Sequence, residues 1–252
     1  MSAKNILEGL KLRGKPAEIP DCGRDDLPQF FLDMGYKVGA EIGVYKGEYT
    51  KKFLDAGLKM YGIDPWKAYN NYNEYQSLNP KSEYRNIGLR KGLSKFQVRQ
   101  DFLFEHTKRL LADHLEGGRC ELIRKTSMDA IEDFEDESLD FVYIDGHHGF
   151  RYVAEDLCEW MPKVRKGGIV SGHDYALNKK GARDPYVLQV KYVLHAFVEA
   201  FGVRNFYVLG KKHPKGERIQ AEDLGAGAYS DVFKFGDKQE VRDRWRSWMF
   251  IK

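Results

Sequence analysis

No stretch of this 252-residue chain approaches the roughly 18 consecutive apolar residues of a membrane span. Its N-terminal MSAKNILEGLKLRGK also has no apolar signal core. The expectation is a soluble, cytoplasmic protein with no membrane partner. Cysteine is scarce too. Cys22, Cys120 and Cys158 are odd in number and far apart, so neither a disulfide framework nor a CxxC metal site is available, which suits a reducing compartment. A strong charge of either sign is missing. A net charge of +3 without a long basic stripe offers little for a phosphate backbone, and no nucleic acid is expected as a partner. Internal repeats and low-complexity runs are absent, so residues 1–252 are read as a single domain. What remains is an ordinary globular composition, 42% hydrophobic and 31% charged, sufficient for one large core.

Along that chain, short β-prone runs alternate with amphipathic helical segments. The runs are Val38–Gly43, Leu58–Ile63, Cys120–Ile123, Leu139–Ile144 and Ile169–Val170. Such alternation predicts an α/β fold with a doubly wound, mostly parallel sheet. Residues 1–35 read as an N-terminal arm followed by a cover helix, in which Leu27, Phe30, Phe31 and Met34 repeat at helical spacing before Gly35. Residues 66–88 break the rhythm, with Trp66, Tyr69, Tyr72 and Tyr75 at every third position among asparagines. This insertion reads either as a lid whose flat rings suit a sugar or phenol, or as a stripe packing a helix onto the core. Asp184-Pro185 opens a helix that runs to Gly202, and Phe206–Leu209 and Val232–Phe235 read as a final pair of strands. In the tail WRSWMFIK, Trp245, Trp248 and Phe250 have two possible destinations, the core or a partner subunit of a homo-oligomer.

The chemistry-bearing residues gather where the strands end. The first strand leads into Glu41-Ile42-Gly43-Val44-Tyr45-Lys46-Gly47 and then a helix, the unit that admits a nucleotide-like ligand because glycine lets the backbone approach closely. A tight turn with no ligand explains Gly43 and Gly47 about as well. The second strand closes on Asp64, at a separation suited to a ribose hydroxyl, with a plain Asp-Pro turn as the alternative. After the third strand, Ser127 and Met128 are candidates to line an adenine pocket, although Ser127 equally suits a helix cap. The stretch FVYIDGHHGFRYVAEDLCEWMPKVRKGGIVSGHDY holds two strands that finish in Asp145 and His148 and in His173 and Asp174. Two neighbouring strands so terminated aim carboxylates and imidazoles into one crevice. Asp145, His173 and Asp174 form a candidate site for one divalent ion, with His148 positioned as the proton acceptor.

Taken together, VGAEIGVYKGEYTKKFL, GIDPW and the Phe141–Tyr175 stretch resemble the class I S-adenosylmethionine-dependent methyltransferases. More narrowly they resemble the small-molecule O-methyltransferase branch that includes catechol, macrolide-sugar and cephamycin-type enzymes, over about residues 24–210. The resemblance implies a Rossmann-like seven-stranded sheet, mostly parallel with an antiparallel C-terminal strand. It implies S-adenosyl-L-methionine as cofactor, with its methionine part at Glu41, Gly43, Val44 and Gly47, its ribose at Asp64, and Ser127, Met128 and Asp145 completing the pocket. It further implies Mg2+ or Mn2+ on Asp145, His173 and Asp174, catalysis by His148 with Asp145, and a hydroxyl on a small polar acceptor such as a sugar (carbohydrate). Two departures stand out: His173 occupies a position usually acidic or amide, and the glycine turn lacks its middle glycine. The competing expectations are a catalytically silent cofactor-binding module and a nucleic-acid methyltransferase.

Overall fold

The computed structural model describes residues 2–68, 95–176, 188–212, 217–219, 230–235 and 237–252. Its strands are β1 (Ala17–Ile19), β2 (Val38–Ile42), β3 (Lys59–Ile63), β4 (Cys120–Ile123), β5 (Leu139–Ile144), β6 (Val164–Gly172), β7 (Phe206–Leu209), β8 (Glu217–Ile219), β9 (Ser230–Phe235), β10 (Lys238–Asp243) and β11 (Trp248–Ile251). The described helices are α1 (Ser2–Gly9), α2 (Leu27–Asp33), α3 (Glu48–Asp55), α4 (Lys95–Leu110), α5 (Ala112–Glu116), α6 (Ser127–Ala130), α7 (Phe150–Trp160) and α8 (Val190–Ala200).

One eight-stranded sheet runs in the order β1-β7-β11-β6-β5-β2-β3-β4. β11 lies antiparallel to both β6 and β7, while the other pairs in this sheet are parallel. The α/β architecture and the antiparallel C-terminal strand agree with the sequence reading. The strand count differs by one. β1, inside the arm read as irregular, pairs in parallel with β7. Three residues are too few to show a strand period, so only the tertiary pairing reveals them.

The expected pairing of 206–209 with 232–235 is also corrected. β7 pairs with β11, whereas β9 joins β8 and β10 in a separate three-stranded antiparallel sheet. Composition accounts for the exchange. WMFI is apolar at successive positions and fits between two covered faces, whereas SDVFKF carries charge and suits a sheet with one wet face. Trp248 and Phe250 are accordingly buried in the core, and Trp245 is exposed.

Side chains alternate across β5, so Val142 and Ile144 join one core face and Phe141 and Tyr143 the other. The first face packs on Val153, Leu157 and Trp160 of α7 and on Val193, Leu194 and Phe197 of α8. The second packs on Phe30 and Phe31 of α2, Phe53 and Leu54 of α3, and Ile6 of α1. α4 begins six residues before the expected Asp101 and gives way to α5 at Leu111. The expected helix start at Asp184-Pro185 lies outside the described residues, as do Tyr69, Tyr72 and Tyr75 of the aromatic insertion.

Candidate active site

Four predicted site residues are each the first residue beyond a strand, and each extends the ladder by one bond. Gly43 N–H donates to Ile63 O at 2.8 Å, Asp64 N–H to Ile123 O at 3.2 Å, Asp145 N–H to Ile42 O at 2.8 Å, and His173 N–H to Ile144 O at 3.1 Å. The sheet therefore holds the ends of β4, β3, β2, β5 and β6 at one level. The chain departs from β2 toward β3 and β4 on one side, with β5 and β6 on the other, which makes the β2–β5 boundary the switch point where parallel sheets take ligands.

On the β2–β3 side the geometry is set mainly by backbone. Gly43 has φ +92°, and a Cβ there would collide with the Asp145 carbonyl. Gly47 has φ +80°, and its Cβ would meet Thr107 Cγ2 at 2.7 Å. Both glycines are thus required by protein contacts, and together they keep a cradle clear of side chains. Tyr45 between them is also left-handed, at φ +53°. Asp64 ties this turn to its own strand end, accepting from Tyr45 N–H at 3.0 Å and from Trp66 N–H at 2.8 Å. Val44 is a third backbone donor to this carboxylate, which with about four acceptor positions keeps room for one more donor such as a ribose hydroxyl. Burial raises the pKa of Asp64 against these bonds. Val44 and Trp66 are buried together with Leu103, so Trp66, read as part of the insertion, belongs to the core.

Glu41 is buried and accepts a short hydrogen bond from Thr50 Oγ1. Burial pushes its carboxyl up to about 8, against the pull of Thr50. At the β4 end, the helix cap is Thr126, whose Oγ1 accepts from Asp129 N–H at 3.1 Å. Ser127 instead hydrogen-bonds Asp156, a buried α7 residue that desolvation pushes up to about 7. Met128 is partly buried against the core.

On the β5–β6 side the geometry is set by charge. His148 Nε2 lies 3.0 Å from Asp174 Oδ2 and 3.5 Å from Asp145 Oδ1. His173 Nδ1 lies 3.3 Å from the same Asp174 oxygen and 3.8 Å from Asp145 Oδ1. Asp174 is left-handed at φ +57°, a conformation that Asp tolerates better than most residues. Burial alone would lower the pKa of His148, but Asp145 and Asp174 outweigh it and push it up to about 10. Burial would likewise raise Asp174, yet hydrogen bonds from His148 and His173 hold it well below the usual carboxylate range.

One atom each from Asp145, His148 and Asp174 lie within 4.8 Å of one another, and His173 faces the same two carboxylates. Two carboxylates and one imidazole form a donor set that fits a divalent ion, and the nitrogen favours manganese over magnesium. Arg24 also enters the site, with Nη1 3.2 Å from Asp145 Oδ2. Nothing in the run RDDLPQFF marks it, because its partner is 121 residues away. Asp156 was hidden by the same kind of distance, sitting on the apolar face of α7.

The order of the sheet, the glycine turn at its switch point and the inserted antiparallel strand define the class: a class I, S-adenosylmethionine-dependent methyltransferase fold. A family model described as a methyltransferase domain matches residues 40–175, more than half of the sequence, and the chain belongs to that family. Among solved structures, the O-methyltransferase TomG from Streptomyces achromogenes, involved in tomaymycin synthesis and determined with SAM, is 10% identical. The alignment covers 91% of this chain and 79% of that one, with a TM-score of 0.50. An O-methyltransferase from Bacillus cereus in complex with SAH is 12% identical over 91% of this chain and 80% of that one, at a TM-score of 0.49. At such identities the likeness to TomG bears on the fold alone. A curated relative, the uncharacterized protein y4gI of Sinorhizobium fredii, is 37% identical over 60 residues, which span 24% of this chain and 7% of that protein. No described helix is long and apolar enough to cross a membrane.

Proposed function

We propose that this protein transfers the methyl group of S-adenosylmethionine to a hydroxyl of a small polar acceptor of the carbohydrate class. The observation that carries the reading is the convergence of Asp145, His148 and Asp174 within 4.8 Å beside the Gly43 cradle. In this reading the methionine part of the cofactor lies over Glu41, Gly43, Val44 and Gly47, its ribose meets Asp64, and its adenine reaches Ser127 and Met128. The acceptor enters over the β5 and β6 ends, so that oxygen, methyl and sulfonium align, chiefly a proximity effect. The carbohydrate class rests on the resemblance of IDGHH and GHDY to sugar methyltransferases.

The base is assigned to His173. Its Nδ1 faces Asp174 Oδ2 at 3.3 Å, which orients the ring and leaves Nε2 to accept the hydroxyl proton, the logic of a carboxylate-oriented imidazole. His148 already uses Nε2 on both carboxylates. Asp145, His148 and Asp174 would hold a divalent ion such as Mn2+ or Mg2+, which when bound would lower the pKa of the acceptor hydroxyl. A cytoplasmic location accords with three free cysteines, two of them buried.

The test is transfer from methyl-labelled S-adenosylmethionine across a panel of sugars and phenols, with S-adenosylhomocysteine binding measured by calorimetry. Label on a hydroxyl oxygen supports the proposal. Cofactor binding with no consumption on any acceptor would replace it with a silent binding module.

A further inference from the structure

Arg24 is held in place by residues from distant parts of the chain. Its N–H donates to both carboxylate oxygens of Asp243, at 2.9 and 3.0 Å. Its carbonyl accepts the Tyr49 hydroxyl at 2.6 Å, and its guanidinium lies over the Tyr49 ring, 5.1 Å from the centroid. Asp243 is itself buried and also accepts from Ser247 N–H at 3.1 Å. Arg24 and Asp243 both fall outside residues 40–175, the part matched by the family model. The N-terminal arm and the C-terminal segment thus cooperate to bring one buried cation to the crevice. There Arg24 Nη1 meets Asp145 Oδ2 at 3.2 Å, with the two side chains 14% and 19% exposed.

The charge count of the crevice gives this contact a consequence. Asp145 and Asp174 bring two negative charges, which the imidazoles of His148 and His173 both face. Elsewhere a divalent ion can balance such a pair, but here Arg24 already offsets one of them with a charge that no ordinary pH removes. A fixed positive charge beside Asp145 also opposes any second cation on the same carboxylate, because two like charges a few ångströms apart repel strongly even at an effective dielectric of about 20. The contact on Oδ2 leaves Oδ1 facing His148 at 3.5 Å and His173 at 3.8 Å.

We propose that Arg24 is a positioning residue that orients Asp145 toward the two imidazoles and, as a resident cation, keeps the affinity of Asp145, His148 and Asp174 for divalent ions low. The inference rests on reading this crevice as the acceptor side of a methyl-transfer site.

The decisive experiment measures Mn2+ binding by electron paramagnetic resonance in the full chain, comparing wild type with Arg24→Gln and Arg24→Lys. Arg24→Gln is expected to bind Mn2+ at least about tenfold more tightly than wild type, and Arg24→Lys, which keeps the charge, to stay within about threefold. A merely structural role for Arg24 would move affinity the other way, since a disordered crevice loses its ligands. Should Arg24→Gln not fold, Asp243→Asn takes its place. It loosens the Arg24 backbone without deleting the cation, and is expected to tighten Mn2+ by a smaller factor. Unchanged or weaker Mn2+ binding in the folded variant, or no Mn2+ bound by either protein, overturns the inference. Calorimetry with S-adenosylhomocysteine on the same samples separates the two readings: failure of wild type to bind it sinks the cofactor assignment, whatever the Mn2+ result.

Discussion

The two halves of the crevice are built from different materials. On the β2–β3 side, two glycines and a left-handed tyrosine shape a turn, and the Asp64 carboxylate is tied to backbone amides. On the β5–β6 side, two carboxylates, two imidazoles and a guanidinium hold one another through charge. A backbone-built half depends on the fold and resists chemical tuning. A charge-built half depends on protonation and on the charge brought in by Arg24. Substitutions on the first side should therefore disturb binding and stability, and those on the second should disturb turnover.

The largest effect is expected at Asp174. Asp174→Asn removes the charge both imidazoles share while tolerating the same left-handed backbone, and kcat should fall about 10²–10⁴-fold, with S-adenosylhomocysteine affinity in calorimetry nearly unchanged. Gly43→Ala comes next, and on the other side. A Cβ at φ +92° against the Asp145 carbonyl should cost roughly 3 kcal/mol in urea unfolding, from backbone strain and overpacking together. It should also weaken cofactor binding.

Glu41 sharpens the contrast through pH. Its native pKa of about 8 stands above its ordinary 4.5, so its neutral form is favoured by folding. The stability it contributes is fully present below pH 4.5 and is lost as pH rises toward 8, at about 1.4 kcal/mol per pH unit at most. Glu41→Gln should lack that slope, so the stabilities of wild type and variant should diverge steadily between pH 4.5 and 8, and a parallel pair of curves would contradict the buried-acid assignment. The smallest effect is expected at Thr126→Ala, which deletes the α6 cap and should cost about 1 kcal/mol in unfolding, with kcat unaltered.

Local pattern made some of this architecture legible. β4, β5 and β7 match their sequence runs because each is a short apolar stretch bounded by polar residues. The strand-end residues Gly43, Asp64, Asp145 and His173 could be found because a parallel sheet puts chemistry at carboxyl ends. What stayed hidden depends on distance. β1 is visible only through β7, Arg24 only through Asp145 and Asp243, and the partner of Ser127 only through Asp156. Which ring nitrogen of His148 and of His173 faces Asp174 is a property of the folded turn that residue spacing does not encode.

The contrast between the two halves is tested most directly by steady-state kinetics of Asp64→Ala beside His173→Ala, on whichever acceptor the label-transfer panel identifies. Asp64→Ala should raise the KM for S-adenosylmethionine about tenfold or more, the loss of one good hydrogen bond to the ribose, while kcat at saturating cofactor stays near wild type. His173→Ala should do the reverse, cutting kcat about 10²–10⁴-fold with the cofactor KM little changed. If His173→Ala turns over normally, or if both substitutions act on the same parameter, the division between a backbone-built cofactor half and a charge-built acceptor half is wrong.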